Sequence, residues 1–393
     1  MKRFAGKLAI QQRVLPNYRA PFFDLLASAC DGGMSLFTGL PRPSEGITIA
    51  NELQIIAKHP LGTNYKLGQN IHLFNGSLYL CYQRGLIDWL QNWNPDALIV
   101  EANPRYISTP SAIQWMHRQN KPAIGWGLGS PPLNPPHPAQ AGWGGSKGGV
   151  LAGFRQTRRL SFLKQFDALI AYSQRGAEEY AALGFPREKI FVAHNSVSPA
   201  PSSPIPARPL TTDRLNILFV GRLQARKRVD NLLRACAALS EVEGGSKPRL
   251  VIVGDGSERE SLEALAKQVY PSAEFVGAKH GAELKAHFTE ADLFVLPGTG
   301  GLAVQEAMSY GLPVIVAQGD GTQDDLVRKE NGWQIPPDDF DSLLSTMKSA
   351  LSDVARLRKM GEESHRIVME EINIEKMVDV FMTALNVIKI PFD

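Results

Sequence analysis

Short aliphatic runs alternate with longer helical patterns along almost the whole chain, and this alternation constrains the fold more than any other feature. In the first half the runs are Leu8–Val14, Ala97–Glu101, Ala123–Trp126, Ala168–Tyr172 and Ile190–Ala193. In the second half they are Asn216–Val220, Leu250–Val253, Glu274–Val276, Leu293–Leu296 and Val314–Ala317. Continuous β-branched and aliphatic runs suit strands of a parallel sheet buried on both faces. The helical patterns between them, such as Val229–Leu239 and Glu258–Gln268, supply the crossovers that parallel strands require. The expected class is α/β, built from Rossmann-like domains.

At 393 residues the chain is too long for one ordinary core, which favours two domains. The stretch SPAPSSPIPARPLTTD, Ser198–Asp213, is too rich in proline for a helix or a central strand and reads as a linker. The expected domains are therefore 1–197 and 214–393 with 198–213 between them, and the last helix is a candidate to cross back to the first domain. The halves echo each other: PDALIVEANPRY and ADLFVLPGTGG both follow a strand with a proline-containing turn. Open α/β sheets bind ligands at such carboxyl ends.

Hydrophobic residues at 44% and charged residues at 21% are ordinary for a soluble α/β protein. A net charge of +3 argues against a dedicated nucleic-acid binder, which needs a strong basic stripe. Lys2, Arg3, Lys7, Arg13 and Arg19 crowd the N-terminal segment. Their ordinary reading is a solvated surface; the sharper one is a basic face for an anionic acceptor or lipid headgroup. Cys30, Cys81 and Cys236 form no CxxC pair, which fits buried free thiols in a reducing compartment. The N-terminal segment lacks the apolar run of a signal peptide, and no segment reaches the ~20 apolar residues of a membrane span. A cytoplasmic location is expected, with peripheral contact to the inner face of the membrane left open.

The most informative stretch is PGTGGLAVQEAMSYGLPVIV, Pro297–Val316. A buried strand ends at Leu296; Gly298, Gly300 and Gly301 surround Thr299, and a helix is expected from near Leu302. Glycines let a ligand approach the backbone, and N–H groups at a helix start favour an anion. Glu306 falls one turn into that helix. There a carboxylate suits neutral hydroxyls beside a phosphate, as a ribose offers; a solvated glutamate is the ordinary alternative. In VGRLQARKRVDNLL a strand ends at Gly221, Arg222 follows, and Lys227 precedes the next helix. Two cations so placed suit a diphosphate. Arg226 and Arg228 lie in the same turn, and not all four can face one ligand.

GRLQARKRVDNLL, IVGDGSERESLEAL, FVGAKHGAEL, ADLFVLPG and GLAVQEAMSYGLPVI, in this order, resemble the donor domain of retaining GT-B glycosyltransferases of family 4, across Asn216–Ala350. Tyr172–Val197 resembles the end of that family's N-terminal domain. The resemblance implies two Rossmann-like domains facing each other across a cleft, an N-terminal acceptor domain and a C-terminal nucleotide-sugar domain. It implies that Arg222 and Lys227 bind the donor pyrophosphate and stabilise it as it leaves. Gly221, Gly298, Gly300, Gly301, Leu302 and Ala303 would line the phosphates, and Gly277, Ala278 and Lys279 would border the nucleobase. Glu306 matches the second glutamate of the family's E-x7-E motif, which binds ribose.

The first glutamate of that motif is replaced by Gly298, so the grip on the donor sugar must differ. The glycine pair expected after the first strand is replaced by Pro16, Asn17, Tyr18 and Arg19, where Arg19 is either a phosphate or acceptor contact or a surface residue without a role. Leu128 stands where related sequences often carry a histidine, and His72, His117 and His194 fit no such role by spacing. GWGGSKGG, Gly142–Gly149, lacks the order of a phosphate loop and reads as a mobile loop. DDFD, Asp338–Asp341, reads as a helix start and not a metal site. The expected function is retaining transfer of a sugar from a UDP- or GDP-sugar to an acceptor hydroxyl on a carbohydrate or lipid-linked acceptor, without a prosthetic group or metal. The alternatives are a non-catalytic sugar-nucleotide-binding subunit or another GT-B enzyme such as a sugar-nucleotide epimerase.

Overall fold

A computed structural model describes residues 2–45, 47, 49, 64–73, 79–130, 150–210, 214–241, 247–319 and 321–388. The glycine-rich segment Gly142–Gly149 lies outside the described residues. The chain forms two compact units, Met1–Val197 with Ile374–Asp393, and Ser198–Asn373.

The first unit holds strands β1 (Leu8–Val14), β2 (Met34–Gly39), β3 (Asn64–Leu67), β4 (Gln69–His72), β5 (Cys81–Arg84), β6 (Ala97–Glu101), β7 (Ala123–Gly127), β8 (Ala168–Ala171) and β9 (Ile190–Val192). Its main sheet runs β3-β2-β1-β6-β7-β8-β9 and is parallel throughout, with β4 and β5 paired separately as an antiparallel ribbon. Side chains alternate across the sheet, as strand geometry requires. Leu8, Ile10, Ile99, Ile124 and Ile170 enter one core, and Ala9, Leu98, Val100, Leu169 and Ala171 enter the other. The first core is completed from the far end of the chain: Ile374, Met377, Phe381 and Met382 of the last helix, Ile374–Val387, pack into it. Phe381 meets Phe22 at 5.1 Å and Trp126 at 5.0 Å, both edge-to-face, a favoured geometry for aromatic pairs.

The second unit holds β10 (Asn216–Val220), β11 (Arg249–Val253), β12 (Glu274–Gly277), β13 (Leu293–Leu296), β14 (Val314–Ala317) and β15 (Gly332–Ile335). These form one parallel sheet in the order β12-β11-β10-β13-β14-β15. This is the 3-2-1-4-5-6 order of the dinucleotide-binding fold, and its order reverses between β10 and β13. All four side chains of β13 and of β14 are buried, as their unbroken aliphatic character predicts.

The stretch expected to link the domains is instead part of the second unit. Arg208 donates to the Ala291 carbonyl at 2.6 Å and the Phe288 carbonyl at 3.1 Å, and Arg358 donates to the Pro209 carbonyl at 2.9 Å. Proline prevents this segment from joining a helix or sheet, but it leaves the carbonyls free to be bonded by arginines.

Candidate functional site

In the second unit the reversal point brings two loops together at the carboxyl ends of β10 and β13. After β10, Gly221 donates to the Val253 carbonyl at 3.0 Å, and the exposed Arg222 follows. The chain then forms a short turn over Ala225–Lys227. After β13, the glycine turn lies directly on it: the Thr299 N–H donates to the Arg226 carbonyl at 3.1 Å. Lys227 is buried, and its ammonium donates to the carbonyls of Thr299, at 2.9 Å, and Gly300. Arg226 also reaches the Thr299 carbonyl, at 3.3 Å. Arg228 turns away in the left-handed conformation and pairs with Asp230 and Asp338. Two of the four cations of this turn therefore stand on the glycine loop, and one of them is Arg226, which spacing alone could not single out from its neighbours.

Gly298 has a steric reason. A Cβ built there would lie 2.1 Å from the Arg226 carbonyl oxygen and 2.5 Å from Lys227 Cα. Both are backbone atoms, so no side chain fits without moving one loop off the other. The missing glutamate of the E-x7-E pattern is thus tied to how closely these two loops pack. Gly300 has a φ of 65°, which a glycine adopts without strain. The following helix runs Ala303–Ser309, with Leu302 at its N-cap. Glu306 stands in its first turn and makes no ion pair within 4.0 Å among those described; burial holds its carboxyl above the usual range, against the opposing pull of Lys285. A carboxyl so placed can accept from or donate to hydroxyls.

The neighbouring ends of β11 and β12 are glycine-built too. A Cβ on Gly254 would lie 1.9 Å from the Gly221 carbonyl oxygen, and Gly254 donates to the Gly277 carbonyl at 2.9 Å. Gly277, exposed Ala278 and Lys279 thus share the carboxyl edge with Gly221, two strands away from β10. Lys279 pairs with Glu283 at 3.1 Å. Asp339 caps the helix Phe340–Leu351 by accepting from the Ser342 N–H at 2.9 Å, so the acidic run is a helix start. Among the described residues no three His, Cys, Asp or Glu side chains cluster as a metal site.

In the first unit the loop after β1 does not hold Arg19 as a surface residue. It is buried, its guanidinium donates to the Ser196 carbonyl at 3.2 Å and to the Asn195 side chain, and it lies over the rings of Trp126 and Tyr172. Arg19 is a tie that fixes the segment after β9, neither exposed nor idle. Arg13 is buried against Glu45 at 3.0 Å. Arg3 pairs with Asp31, the Lys2 ammonium donates to the Thr383 hydroxyl at 2.9 Å, and Lys7 lies over Trp93. Lys2, Arg3 and Lys7 remain exposed, while Arg13 and Arg19 are buried. His117 pairs with Asp167 beside the start of β7, at the opposite edge from the carboxyl ends. His72 lies on β4, where burial and the charges of Arg13 and Arg42 lower its pKa against the opposing pull of Glu45; the His194 carbonyl accepts from Ser196.

The carboxyl ends of β6, β7 and β8 surround a cavity of about 400 Å³, lined in part by the proline-containing turn after β6 that the sequence marks as a ligand-binding strand end. Glu101, Tyr106, Trp126, Arg159 and Tyr180 line it, with Leu128, 48% exposed, at its rim. Crowding by protein pushes the Glu101 carboxyl up to about 7, although the Arg13 N–H bonds to it and the charges of Arg13 and Arg19 oppose the rise.

Comparison with known proteins finds likeness chiefly in the second unit. Residues 205–366 match the family described as "Glycosyl transferases group 1". The match covers less than half of the chain. A GDP-mannose-dependent alpha-mannosyltransferase of Mycobacterium tuberculosis is 32% identical over 216 residues, 53% of this chain and 51% of that protein. The putative colanic acid biosynthesis glycosyltransferase WcaL of Escherichia coli is 29% identical over 186 residues, 45% of this chain and 46% of that protein. The chain thus spans about half the length of these curated relatives. In fold the likeness is nearly complete: the lipopolysaccharide outer core galactosyltransferase WaaB superposes with a TM-score of 0.69 over 96% of this chain and 99% of that one, at 17% identity. Anabaena Alr3699/HepE in complex with UDP superposes at 0.68 over 99% and 100%, at 15% identity. The two parallel-sheet domains are the GT-B fold.

Proposed function

We propose that the protein is a retaining glycosyltransferase that moves a sugar from a UDP- or GDP-sugar to an acceptor hydroxyl, in polysaccharide, lipopolysaccharide or glycolipid synthesis. One observation carries the reading: the glycine turn Gly298–Gly301 meets Arg226 and Lys227 where the second sheet reverses its order. That is where an open α/β sheet receives a nucleotide. In support, the relatives named above are glycosyltransferases, and the Anabaena protein of the same fold is described in complex with UDP.

Under this reading the second unit holds the donor and the first unit the acceptor. Arg222 and the charge of Lys227 offset the diphosphate, the amides of 301–303 face its distal phosphate, and Glu306 receives the ribose hydroxyls. Gly277, Ala278 and Lys279 border the base. The acceptor oxygen forms a bond to the anomeric carbon as the bond from that carbon to the phosphate oxygen breaks. The departing phosphate oxygen takes the acceptor proton on the same face, so no separate protein base is used. Fixed donors aimed at the charge developing on the leaving group lower the barrier. The absence of a side chain at Gly298 leaves recognition of the donor sugar to other residues. No described helix is long and apolar enough to cross a membrane; we place the protein at the cytoplasmic side, where nucleotide sugars are supplied.

A thermal-shift screen of UDP-, GDP- and ADP-sugars against the wild type and Glu306→Ala tests this. At least one nucleotide sugar raises the melting temperature of the wild type, and the rise shrinks in the variant. If no nucleotide stabilises the wild type, the assignment fails.

A further inference from the structure

The helix that carries Glu306, Ala303–Ser309, is seven residues long. A helix so short has too few internal bonds to hold its own shape in water. The place of Glu306 therefore depends on what fastens this helix to the rest of the second unit. Val304, Ala307 and Met308 sink into the core. Just past its end the backbone touches the helix Val354–Glu370, where a Cβ on Gly361 would lie 2.1 Å from the Gly311 carbonyl oxygen. Gln305 adds a directional fastening. It is 1% exposed, and as the immediate neighbour of Glu306 its side chain points about 100° away around the helix axis. One side chain thus enters the unit while the other stays half-buried at its surface.

Both ends of the Gln305 amide are engaged. Its Oε1 accepts from the Ser198 N–H at 3.3 Å, and its Nε2 donates to the Ile372 carbonyl at 2.9 Å. A carboxamide accepts at one end and donates at the other, as these two backbone groups require. The chain enters the second unit at Ser198 and leaves it after Asn373, so one side chain holds the entering and the leaving segment to the same turn of helix. The leaving segment is itself fixed. The Ile372 N–H donates to the Ile367 carbonyl at 2.9 Å, and the Asn373 side chain donates to the carbonyls of Val368 and Met369 at 2.9 and 3.0 Å. Glu371 pairs with Arg328 at 2.6 Å. A helix tied at Gln305 to such an anchor cannot slide or turn without breaking these bonds.

We infer that Gln305 is the positioning residue of the ribose contact: by tying the Glu306 helix to Ser198 and Ile372 it sets the carboxyl where the ribose hydroxyls meet it. The inference rests on the reading of Glu306 as the ribose partner and adds the residue that aims it. Gln305 acts through Glu306 and not on the nucleotide. Linkage then requires reciprocity: if the clamp favours ribose binding, ribose binding favours the clamp to the same degree.

The test uses the full chain with two variants, Gln305→Met and Glu306→Ala. Methionine keeps the unbranched shape of glutamine and suits a helix, but bonds neither Ser198 nor Ile372. Titration calorimetry compares UDP and GDP with their 2′,3′-dideoxy analogues, and amide exchange is followed at Ser198 with and without nucleotide. The wild type binds the ribose form at least about tenfold more tightly than the dideoxy form, as hydrogen bonds to a carboxyl imply. Gln305→Met narrows this preference to within about threefold, as Glu306→Ala does, while affinity for the dideoxy form stays within about threefold of the wild type. A merely structural loss would weaken both forms together and leave their ratio unchanged. Saturating nucleotide slows exchange of the Ser198 amide in the wild type and not in Gln305→Met; the wild-type half of this comparison decides even where the variant does not fold. An unchanged preference in Gln305→Met, equal weakening of both forms, or a wild-type Ser198 amide indifferent to nucleotide would overturn the inference. If Glu306→Ala still loses the preference, the donor reading stands without it. A wild type that binds neither nucleotide, or binds ribose and dideoxy forms alike, removes the ribose assignment of Glu306 and this inference together.

Discussion

Restoring the family's glutamate at Gly298 should harm this protein and not improve it. The Cβ common to any replacement would sit 2.1 Å from the Arg226 carbonyl oxygen and 2.5 Å from both Lys227 Cα and its carbonyl carbon. The shortest of these is more than an ångström inside ordinary van der Waals contact, and every atom involved is backbone. Relief requires the glycine turn to separate from 226–227, which pulls the Thr299 N–H off the Arg226 carbonyl and the Thr299 carbonyl off the Lys227 ammonium. Overpacking of this kind costs about 1–3 kcal/mol. At ~2–4 °C per kcal/mol for a domain of this size, a cost of ~2 kcal/mol lowers its melting temperature by about 4–8 °C. Differential scanning calorimetry of Gly298→Ala and Gly298→Glu reads the stability, and calorimetric titration with UDP and GDP reads the site. Both variants should melt lower and bind nucleotide more weakly, alanine included, because the clash begins at Cβ. A Gly298→Glu protein with wild-type melting and stronger binding of a nucleotide sugar would refute the reasoning.

Two further outcomes follow from the first unit. Glu101 has a folded-state pKa near 7 against 4.5 for the free group, so between these values the folded chain holds the proton that the unfolded chain has released. Stability should therefore fall as pH rises from about 4.5 to 7, by up to ~3 kcal/mol. Melting curves across this range should be flatter for Glu101→Gln than for the wild type, and parallel curves would contradict the shift. Phe381→Ala removes a fully buried ring packed on Phe22 and Trp126 and should cost about 3–5 kcal/mol, seen as early melting and as protease sensitivity of the first unit. A loss below 1 kcal/mol would mean that the last helix is not part of that core.

The parallel sheets were legible because their central strands carry aliphatic runs: β6, β10, β13 and β14, and β1 through Leu8–Ile10, have the bounds that those runs predict. β2 was missed although every residue in it is buried, since Ser35 and Thr38 break the run. Their hydroxyls are satisfied by Trp89 and Tyr65, partners far off in sequence. β3 and β15 are short edge strands with polar members, NYKL and GWQI, and edge strands carry little apolar signal. At the candidate donor site, the glycines and cations could be read because backbone turns and helix starts have local signatures. What they touch could not: the contact of Gly298 with 226–227, the engagement of Arg226 and the burial of Arg19 all depend on chain segments brought together by the fold. The same holds for the Glu101 cavity, whose residues come from three strand ends and two helices.

The central claim is that the second unit holds a nucleoside diphosphate at the carboxyl ends of β10 and β13. A crystal structure of the protein with UDP or GDP tests it most directly. The account predicts the ribose hydroxyls within hydrogen-bond reach of the Glu306 carboxyl and the diphosphate between Arg222 and the backbone of 301–303. A nucleotide bound elsewhere, or one that leaves Glu306 and the glycine turn untouched, would contradict it.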